Sequence, residues 1–198
     1  MRIRPYAAAD RDAVAEICLR TADYGGDATG VLEDDGLWAD VWALPYVSRH
    51  PDLAFVLEDE GRVIGYVVGT DDTDAFEEWF RVDWWPSRTE GRARPERERT
   101  RQEGILLYAY GRRPGAEPYA AAGYPAHLHI DLLPEAQGRG WGRRLIEALV
   151  AELRRRGVPG LHLTAATRNA GALAFYDRVG FSRLPSHEGV QAFGMRLG

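Results

Sequence analysis

Apolar and polar residues alternate along the chain with two periods, one helical and one typical of strands. Helical spacing predicts a helix over 10–22 and a shorter one over 32–42. Two apolar runs, 53–57 and 63–68, flank a Glu-Asp-Glu-Gly-Arg turn and predict an antiparallel hairpin. With a short strand over 2–4, these segments make up the first half of the predicted fold.

The second half of the chain alternates strand and helix. Residues 127–132 predict a central strand, followed by a helix in which Leu145, Leu149 and Leu153 share one face. Further strands are predicted over 161–164 and 189–197 with a helix between them. This order of elements predicts a mixed α/β sheet.

Residues 71–125 separate the hairpin from the central strand. Asp74 and Glu77 have the spacing of a capping box and predict a helix start. Residues 87–103 are dense in arginine and glutamate, which predicts a solvated loop and the start of another helix. Inserted segments of this length are often functional lids, so we expect this one to cover the functional site within a single domain, 1–198.

The composition narrows the class of protein. A chain of 198 residues with 45% hydrophobic content is long enough for one domain with a sizeable core. The net charge of −5 argues against nucleic acid as a partner, and no apolar run is long enough to cross a membrane. Cys18 has no second cysteine to pair with, and no signal segment is evident, so a cytoplasmic location is expected.

Residues 132–147 carry the strongest chemical signal. Gly138, Gly140 and Gly142 alternate with larger residues, so the backbone lacks a Cβ atom at every second position. Such a backbone can direct consecutive N–H groups at one anion, and the helix that follows adds its unpaired N-terminal donors. The turn therefore predicts a cradle for a pyrophosphate group.

Two common phosphate-binding loops do not fit this turn. A P-loop ends in Gly-Lys followed by Ser or Thr, whereas all 25 basic residues here are arginine. A dinucleotide fold places Gly-x-Gly-x-x-Gly near the first strand, and these glycines lie two-thirds of the way along the chain. The pattern that fits is Gln137-x-x-Gly140-x-Gly142, preceded by Leu132 and Leu133.

A second motif lies about 30 residues further along the chain. Asn169 is a favourable helix N-cap, Ala172, Phe175 and Tyr176 follow at helical spacing, and Gly180 is a natural helix stop. From this evidence alone, Tyr176 would be an aromatic residue of the core.

Together the two motifs resemble those of the GNAT acetyltransferase superfamily, Gln/Arg-x-x-Gly-x-Gly/Ala and Asn-x-x-Ala-x-x-Phe-Tyr-x-x-x-Gly-Phe. Segments across nearly the whole chain are also similar to the acetyltransferase-like C-terminal domain of animal O-GlcNAcases, among them Ile3-Arg4-Pro5-Tyr6, Trp85-Pro86 and Ile130-Asp131. That domain lacks a good glycine cradle, which this chain has. The resemblance implies a GNAT fold with a mixed, mostly antiparallel sheet of about six to seven strands. The sheet would be splayed at its central strand and flanked by helices, with a helical insertion before that strand.

The resemblance further implies an acetyl-CoA-dependent N-acetyltransferase acting on a primary amine by direct attack in a ternary complex. Acetyl-CoA is then a co-substrate, and no metal is expected. The residues implied to bind it are Leu132, Leu133, Gln137, Gly138, Arg139, Gly140, Trp141, Gly142, Arg143, Asn169 and Tyr176. The Leu132 backbone would bind pantetheine and supply the oxyanion donor, and Tyr176 would protonate the departing thiolate.

The general base stays open between three possibilities. His127, His129 and Asp131 alternate on one strand and share a face if no bulge intervenes. Ionisable groups in a core strand are costly to bury unless they are paired or solvated, which favours a function for His129 and Asp131. Water could also relay the proton and leave no essential base.

The acceptor is a small molecule or a peptide that carries an amine, and its identity is not predicted. Acidic residues at 33–35 and 71–78 would attract a cationic amine if they line one mouth, or they simply face water at helix starts. The oligomeric state is open between monomer and homodimer. The alternative function is a non-catalytic acetyl-CoA-binding module with a regulatory or interaction role.

Overall fold

Seven strands form one mixed sheet in the computed structural model, which describes residues 1–198. The strands are β1 (Arg2–Pro5), β2 (Ala54–Asp59), β3 (Arg62–Thr70), β4 (Ala126–Leu132), β5 (Gly160–Ala166), β6 (Ser182–Leu184) and β7 (Val190–Arg196). Their order is β1-β2-β3-β4-β5-β7-β6, and only β4 and β5 run parallel. The predicted mixed, mostly antiparallel α/β sheet is therefore confirmed.

Seven α-helices connect these strands. They are α1 (Arg11–Thr21), α2 (Gly36–Trp42), α3 (Leu44–Arg49), α4 (Thr73–Trp79), α5 (Arg101–Gly111), α6 (Trp141–Arg155) and α7 (Ala170–Val179). Short 3₁₀ or π turns cover residues 8–10, 51–53, 80–88 and 134–136. None of the helices is long and apolar enough to cross a lipid bilayer.

The central strand separates from its neighbour partway along its length. β4 pairs with β5 only at Ala126–Leu161 and His127–His162. Beyond His127, β4 remains paired with β3, while β5 stays paired with β7 along its whole length. The sheet is thus splayed at β4, as expected, and the gap opens toward the carboxyl end of that strand.

Some elements differ from their predicted form. The second helix begins at Gly36, after a loop, and α3 was not predicted because Leu44, Pro45, Tyr46 and Val47 are all buried and give no helical polar face. β6 has three residues, too few for a periodic signal.

The predicted capping box of the insertion is wrong. Asp72 is the N-cap of α4 and accepts the Ala75 N–H at 3.0 Å, whereas Asp74 accepts the Gly115 N–H at 2.8 Å. Glu77 turns inward and pairs with Arg112, with N–O distances of 2.6 and 2.8 Å. Local spacing pointed to the wrong cap because long-range partners engage both acids.

The insertion packs onto the rest of the fold. Its buried apolar side chains join the same hydrophobic cluster as those of the sheet, and they include Phe76, Phe80, Trp84, Trp85, Ile105 and Leu106. The Glu77–Arg112 pair ties the start of the insertion to its second helix, and the Arg112 guanidinium lies 3.9 Å from the Phe80 ring centre. These contacts anchor the insertion over the face of the sheet that carries His127.

Candidate active site

A cavity of about 810 Å³ lies where β4 and β5 separate. Its walls come from β4, the glycine turn, both ends of α7 and the end of α1. Nine of the predicted site residues line it: Asp131, Leu132, Gln137, Gly138, Gly140, Gly142, Arg143, Asn169 and Tyr176. Four predicted residues do not line it: His129, Leu133, Arg139 and Trp141.

The glycine turn presents a row of free backbone donors. The six N–H groups from Gly138 to Arg143 donate to no acceptor within the protein, and helical bonding begins with Arg144 N–H to Gly140 O at 3.3 Å. Gly138 and Gly140 have φ of +71° and +79°, which residues with a Cβ adopt only under strain. The turn therefore has the form of an anion site at the start of α6.

Gly142 serves a different purpose from the other two glycines. A Cβ atom there would lie 3.0 Å from the Phe175 ring, so the missing side chain allows α6 to approach α7 closely. The Arg143 guanidinium donates to the Arg178 carbonyl at 2.6 Å and links the same two helices. Gln137 closes the turn, because its Nε2 donates to the Leu132 carbonyl at 2.8 Å.

On the side of the gap, the backbone of β4 has no strand partner beyond His127. The Leu133 N–H donates to the Ile64 carbonyl at 3.0 Å, so Leu133 directs its N–H at β3. Bonded and non-bonded positions alternate along an antiparallel ladder. Leu132 and Ile130 therefore direct their N–H and C=O groups away from β3, into the gap between β4 and β5. Leu133 differs, since its side chain is also buried in the core.

Tyr176 lies between the aromatic core and the cavity. Its ring packs on Phe181 and Phe193, with ring centres 5.7 and 5.3 Å away. Its hydroxyl makes no hydrogen bond within the protein, and the residue lines the cavity. Burial and the nearby Asp131 carboxylate raise the pKa of Tyr176, so the phenol is protonated at neutral pH.

Asp131 is the acidic residue that lines the cavity. The Tyr66 hydroxyl on β3 donates to its carboxylate at 2.5 Å, and the two residues are directly paired in the sheet. Burial raises the pKa of Asp131, although the hydrogen bond from Tyr66 acts in the opposite direction. A carboxylate with a raised pKa is a stronger base than an ordinary one.

His127 belongs to a chain of buried hydrogen bonds. Its Nδ1 lies 2.8 Å from the Thr73 hydroxyl, which itself donates to the Pro125 carbonyl at 2.6 Å. Because the only hydroxyl proton of Thr73 is used there, His127 Nδ1 must carry a proton and donate it. His127 Nε2 is then an acceptor and receives the Tyr46 hydroxyl at 2.7 Å.

The tautomer of His129 follows from the same chain. The Tyr46 hydroxyl uses its one hydrogen to donate to His127. The Tyr46 oxygen therefore accepts a hydrogen bond from His129 Nε2 at 3.1 Å. Burial and the Arg112 guanidinium lower the pKa of His129 to about 3. His129 is therefore a neutral imidazole near pH 7, with its Nδ1 unprotonated.

Asn169 caps α7, as its position in the motif indicates. Its Oδ1 accepts the Ala172 N–H at 3.0 Å, and Gly180 ends the helix with φ of +99°. Its Nδ2 faces the turn after α1, since a Cβ built on Gly25 would lie 3.8 Å from that atom.

Sequence reasoning missed one wall of the cavity. Thr21, Tyr24 and Gly25 line it from the end of α1, and Arg168 lines it from the loop before α7. No pattern in the sequence links residues 21–25 to the glycine turn more than 100 positions later. The one unusual local feature of this wall is the positive φ of Tyr24, which the sequence does not reveal.

Most of the acidic residues considered for the acceptor mouth have other partners. Asp34 binds Arg92 at 2.7 Å, Asp71 binds Arg156 at 2.9 Å, and Glu77 is buried against Arg112. None of the acids at 33–35 or 71–78 lines the cavity. The structure therefore favours local structural roles for these carboxylates.

Comparison with known proteins gives a consistent picture. The model of the acetyltransferase (GNAT) family matches residues 21–181. Protein O-GlcNAcase of Rattus norvegicus is 25% identical over 189 residues, which cover 94% of this chain but 20% of that protein. The chain thus spans about a fifth of the length of the O-GlcNAcases it matches.

Two further similarities come from a shorter sequence match and a solved structure. The [ribosomal protein bS18]-alanine N-acetyltransferase of Escherichia coli strain K12 is 45% identical over 55 residues, 28% of this chain and 37% of that one. The crystal structure of SsHAT is 42% identical, covers 100% of this chain and 98% of its own, and superposes with a TM-score of 0.93. The fold and the motifs therefore agree on one family.

Proposed function

The chain belongs to the GNAT acetyltransferase family, and we propose that it transfers acetyl from acetyl-CoA to a primary amine by direct attack in a ternary complex. The observation that carries this proposal is the row of six unpaired N–H groups, 138–143, at one end of a cavity that follows the free edge of β4. A pyrophosphate and an extended thioester arm match those two features.

The geometry supports a binding role for each part of the site. The N–H groups of the turn would hold the pyrophosphate, with the start of α6 adding its positive dipole end. The gap-facing N–H groups of Ile130 and Leu132, with the Ile130 C=O, would pair with the pantetheine amides as an added strand, since the Leu132 C=O already accepts from Gln137. Asn169 would hold the arm through its Nδ2, because its Oδ1 is already engaged by α7.

The transfer step requires two proton movements. The amine nitrogen attacks the thioester carbonyl carbon, and the C–S bond breaks as the C–N bond is completed. The departing thiolate takes the phenolic proton of Tyr176, whose hydroxyl is protonated and free of other partners. The amine loses its proton to a base, and we assign that base to Asp131.

Asp131 is favoured over His129 on position and on basicity. Asp131 lines the cavity, whereas His129 does not, and the Nε2 of His129 is engaged by Tyr46. With its pKa near 3, the imidazolium form of His129 would be too acidic to hold a proton taken from an amine. Tyr66 is then a positioning residue, because its hydroxyl holds the Asp131 carboxylate.

A panel of amines tests the proposal, with thiol detection of released CoA. It should include polyamines, aminosugars, amino acids and a histone-like peptide. We expect at least one acceptor to be acetylated above background hydrolysis. Tyr176→Phe should lower that turnover by about 10²- to 10⁴-fold, the usual effect of losing a general acid, with little change in acetyl-CoA affinity. The Phe ring keeps the packing against Phe181 and Phe193.

Two results would contradict the proposal. Unchanged turnover in Tyr176→Phe, measured where chemistry limits the rate, would return Tyr176 to a purely structural role. Tight acetyl-CoA binding without transfer to any amine of the panel would indicate a non-catalytic module.

A further inference from the structure

A second cavity, of about 620 Å³, adjoins the first. It is lined by Tyr24, Glu98, Arg99, Thr100, Arg101 and Arg168. Tyr24 and Arg168 belong to both cavities, so they form the boundary between them. The second cavity is the more open of the two, and these two side chains stand at the edge where it meets the first.

Tyr24 is held in a strained backbone conformation at this boundary. Asp23 and Gly26 exchange hydrogen bonds of 3.0 and 2.9 Å around it, and φ is +52° at Tyr24 and +94° at Gly25. These values define a type I′ turn, whose first central position favours Asn, Asp or Gly. Tyr24 is 45% exposed, so burial does not offset the strain. Strained residues of this kind concentrate at functional sites.

The Tyr24 ring is also fixed in place. The Arg101 guanidinium lies 5.3 Å from the centre of the Tyr24 ring and 4.9 Å from that of Trp38. Arg101 donates to the Asp23 carboxylate at 2.7 Å, so its charge is compensated within the turn. An exposed aromatic face is therefore presented in a defined orientation.

Arg168 is the uncompensated cation of this boundary. It is exposed, and it makes no hydrogen bond or ion pair within the protein. Arg99 pairs with Glu103 at 2.9 Å, as Arg101 does with Asp23. Glu98, the acidic member of the lining, lies against α5, where a Cβ on Gly104 would contact its carboxylate. Glu98 has no ion pair either, but it lines only the second cavity, so the unpaired charge at the boundary itself is that of Arg168.

We propose that the second cavity admits the acceptor and selects an amine that also carries an anionic group, a carboxylate or a phosphate. Arg168 binds that group, and Tyr24 packs against the body of the molecule. This inference rests on the proposed function, since it names the acceptor class for the same site. Arg168 has one competing anionic ligand, the 3′-phosphate of CoA. The experiment below separates that phosphate from the anionic group of the acceptor.

Matched pairs of amines test the selection: tyrosine with tyramine, and glucosamine 6-phosphate with glucosamine. For at least one pair, we expect the anionic member to bind the CoA-saturated protein at least tenfold more tightly than its partner, measured by calorimetry. Where both members of a pair are acetylated, the KM of the anionic amine should be lower than that of its partner by a similar factor. Arg168→Gln should remove that preference and leave the neutral partner within twofold.

A second pair of variants tests Tyr24. Tyr24→Asn should raise the unfolding midpoint, because Asn tolerates the left-handed conformation, and should weaken binding of the favoured amine severalfold. Glu60→Asn is the matched control, since Glu60 and Gly61 form a similar two-residue turn between β2 and β3, with φ of +48° and +84°. It should raise the midpoint by a similar amount without affecting amine binding.

Several outcomes would overturn the inference. One is that neither anionic amine binds the CoA complex more tightly than its partner. Another is that Arg168→Gln weakens acetyl-CoA but not its 3′-dephospho analogue, which would assign Arg168 to the CoA phosphate. A third is that Tyr24→Asn stabilises the fold without changing amine binding. Acetylation of neutral amines alone would overturn the inference and leave the proposed function intact.

Discussion

Gly138 and Gly140 show how single residues decide whether the turn can serve as an anion site. Both have a positive φ, and a Cβ at either would meet no protein atom within 4 Å. The protein itself therefore gives no packing reason for the missing side chains. Glycine is needed at these two positions because of the positive φ, and because a side chain there would obstruct an anion approaching the N–H groups.

Gly140→Ala should weaken acetyl-CoA binding at least tenfold, because alanine at φ of +79° is strained and adds a methyl group beside the free N–H groups. Gly157→Ala is a matched control at the other end of α6, with φ of +74° and the same open surroundings. Both variants should lose about 1 kcal/mol of stability. Calorimetry with acetyl-CoA measures the difference, and equal affinities in the two variants would contradict the assignment of the turn.

Asp131 and His129 make opposite predictions for the dependence of rate on pH. Asp131→Asn should remove the acidic limb of the kcat/KM profile, since a base must be deprotonated to act. His129→Asn should retain that limb, because a neutral imidazole contributes no titration in the range. A limb retained in Asp131→Asn would mean that water or another group collects the proton.

The stability of Asp131→Asn provides the control for folding. The pKa of Asp131 is raised in the folded state, so ionising it costs stability as pH rises above the ordinary carboxyl range. A neutral amide removes that cost and still accepts the Tyr66 hydroxyl. We expect urea unfolding to show the variant gaining stability relative to the wild type between pH 4 and pH 7.

At the scale of elements, α4 and α5 are joined by a buried ion pair. Arg112 on the loop after α5 bonds Glu77 on α4 and also donates to the Val41 carbonyl at 3.0 Å. The Arg112 side chain is only 3% exposed, so its charge depends on these partners. The pair fixes how the insertion packs against the sheet.

Glu77→Gln should cost about 3–5 kcal/mol of unfolding free energy, because it leaves the Arg112 charge buried without a counter-charge. Asp177→Asn, which breaks the exposed pair with Arg183, should cost far less, because solvent screens that pair. Replacing both Glu77 and Arg112 with methionine should recover much of the loss. Equal costs for the two single variants, measured by urea unfolding, would contradict this account.

At the scale of the whole molecule, buried histidines make the fold sensitive to acid. Burial lowers the pKa of His127, His129 and His162. Above about pH 6.5 these rings are neutral in both the folded and the unfolded chain. Their full contribution to the free energy of unfolding is then present. Below that pH, the unfolded chain binds protons that the folded chain does not, so stability falls as pH falls.

With His50, whose pKa burial also lowers, four such histidines give a slope of up to about 5 kcal/mol per pH unit below pH 6.5. Asp131 opposes this slope by at most one proton, since its pKa is raised. His129→Asn should reduce the slope by about one proton. Urea unfolding between pH 5 and pH 8 measures the slope, and a flat profile would contradict the neutral buried cluster.

The sequence by itself determined most of the elements and the two motifs. The hairpin, the central strand, α6 and α7 follow from local periodicity, and Asn169 and Gly180 mark the ends of α7 through local capping chemistry. The glycine turn could be identified because its alternating glycines act through their own backbone. These features depend on neighbours within about one helical turn, which spacing in the sequence reports directly.

Only the tertiary structure decided the charge states and the second wall of the site. The tautomers of His127 and His129 depend on Tyr46 and Thr73, which lie more than 50 positions away. The juxtaposition of Tyr24 with Arg168 depends on how α1 packs beside the splayed sheet. Burial and hydrogen-bond partners set these properties, and both arise from contacts between distant segments that no local pattern encodes.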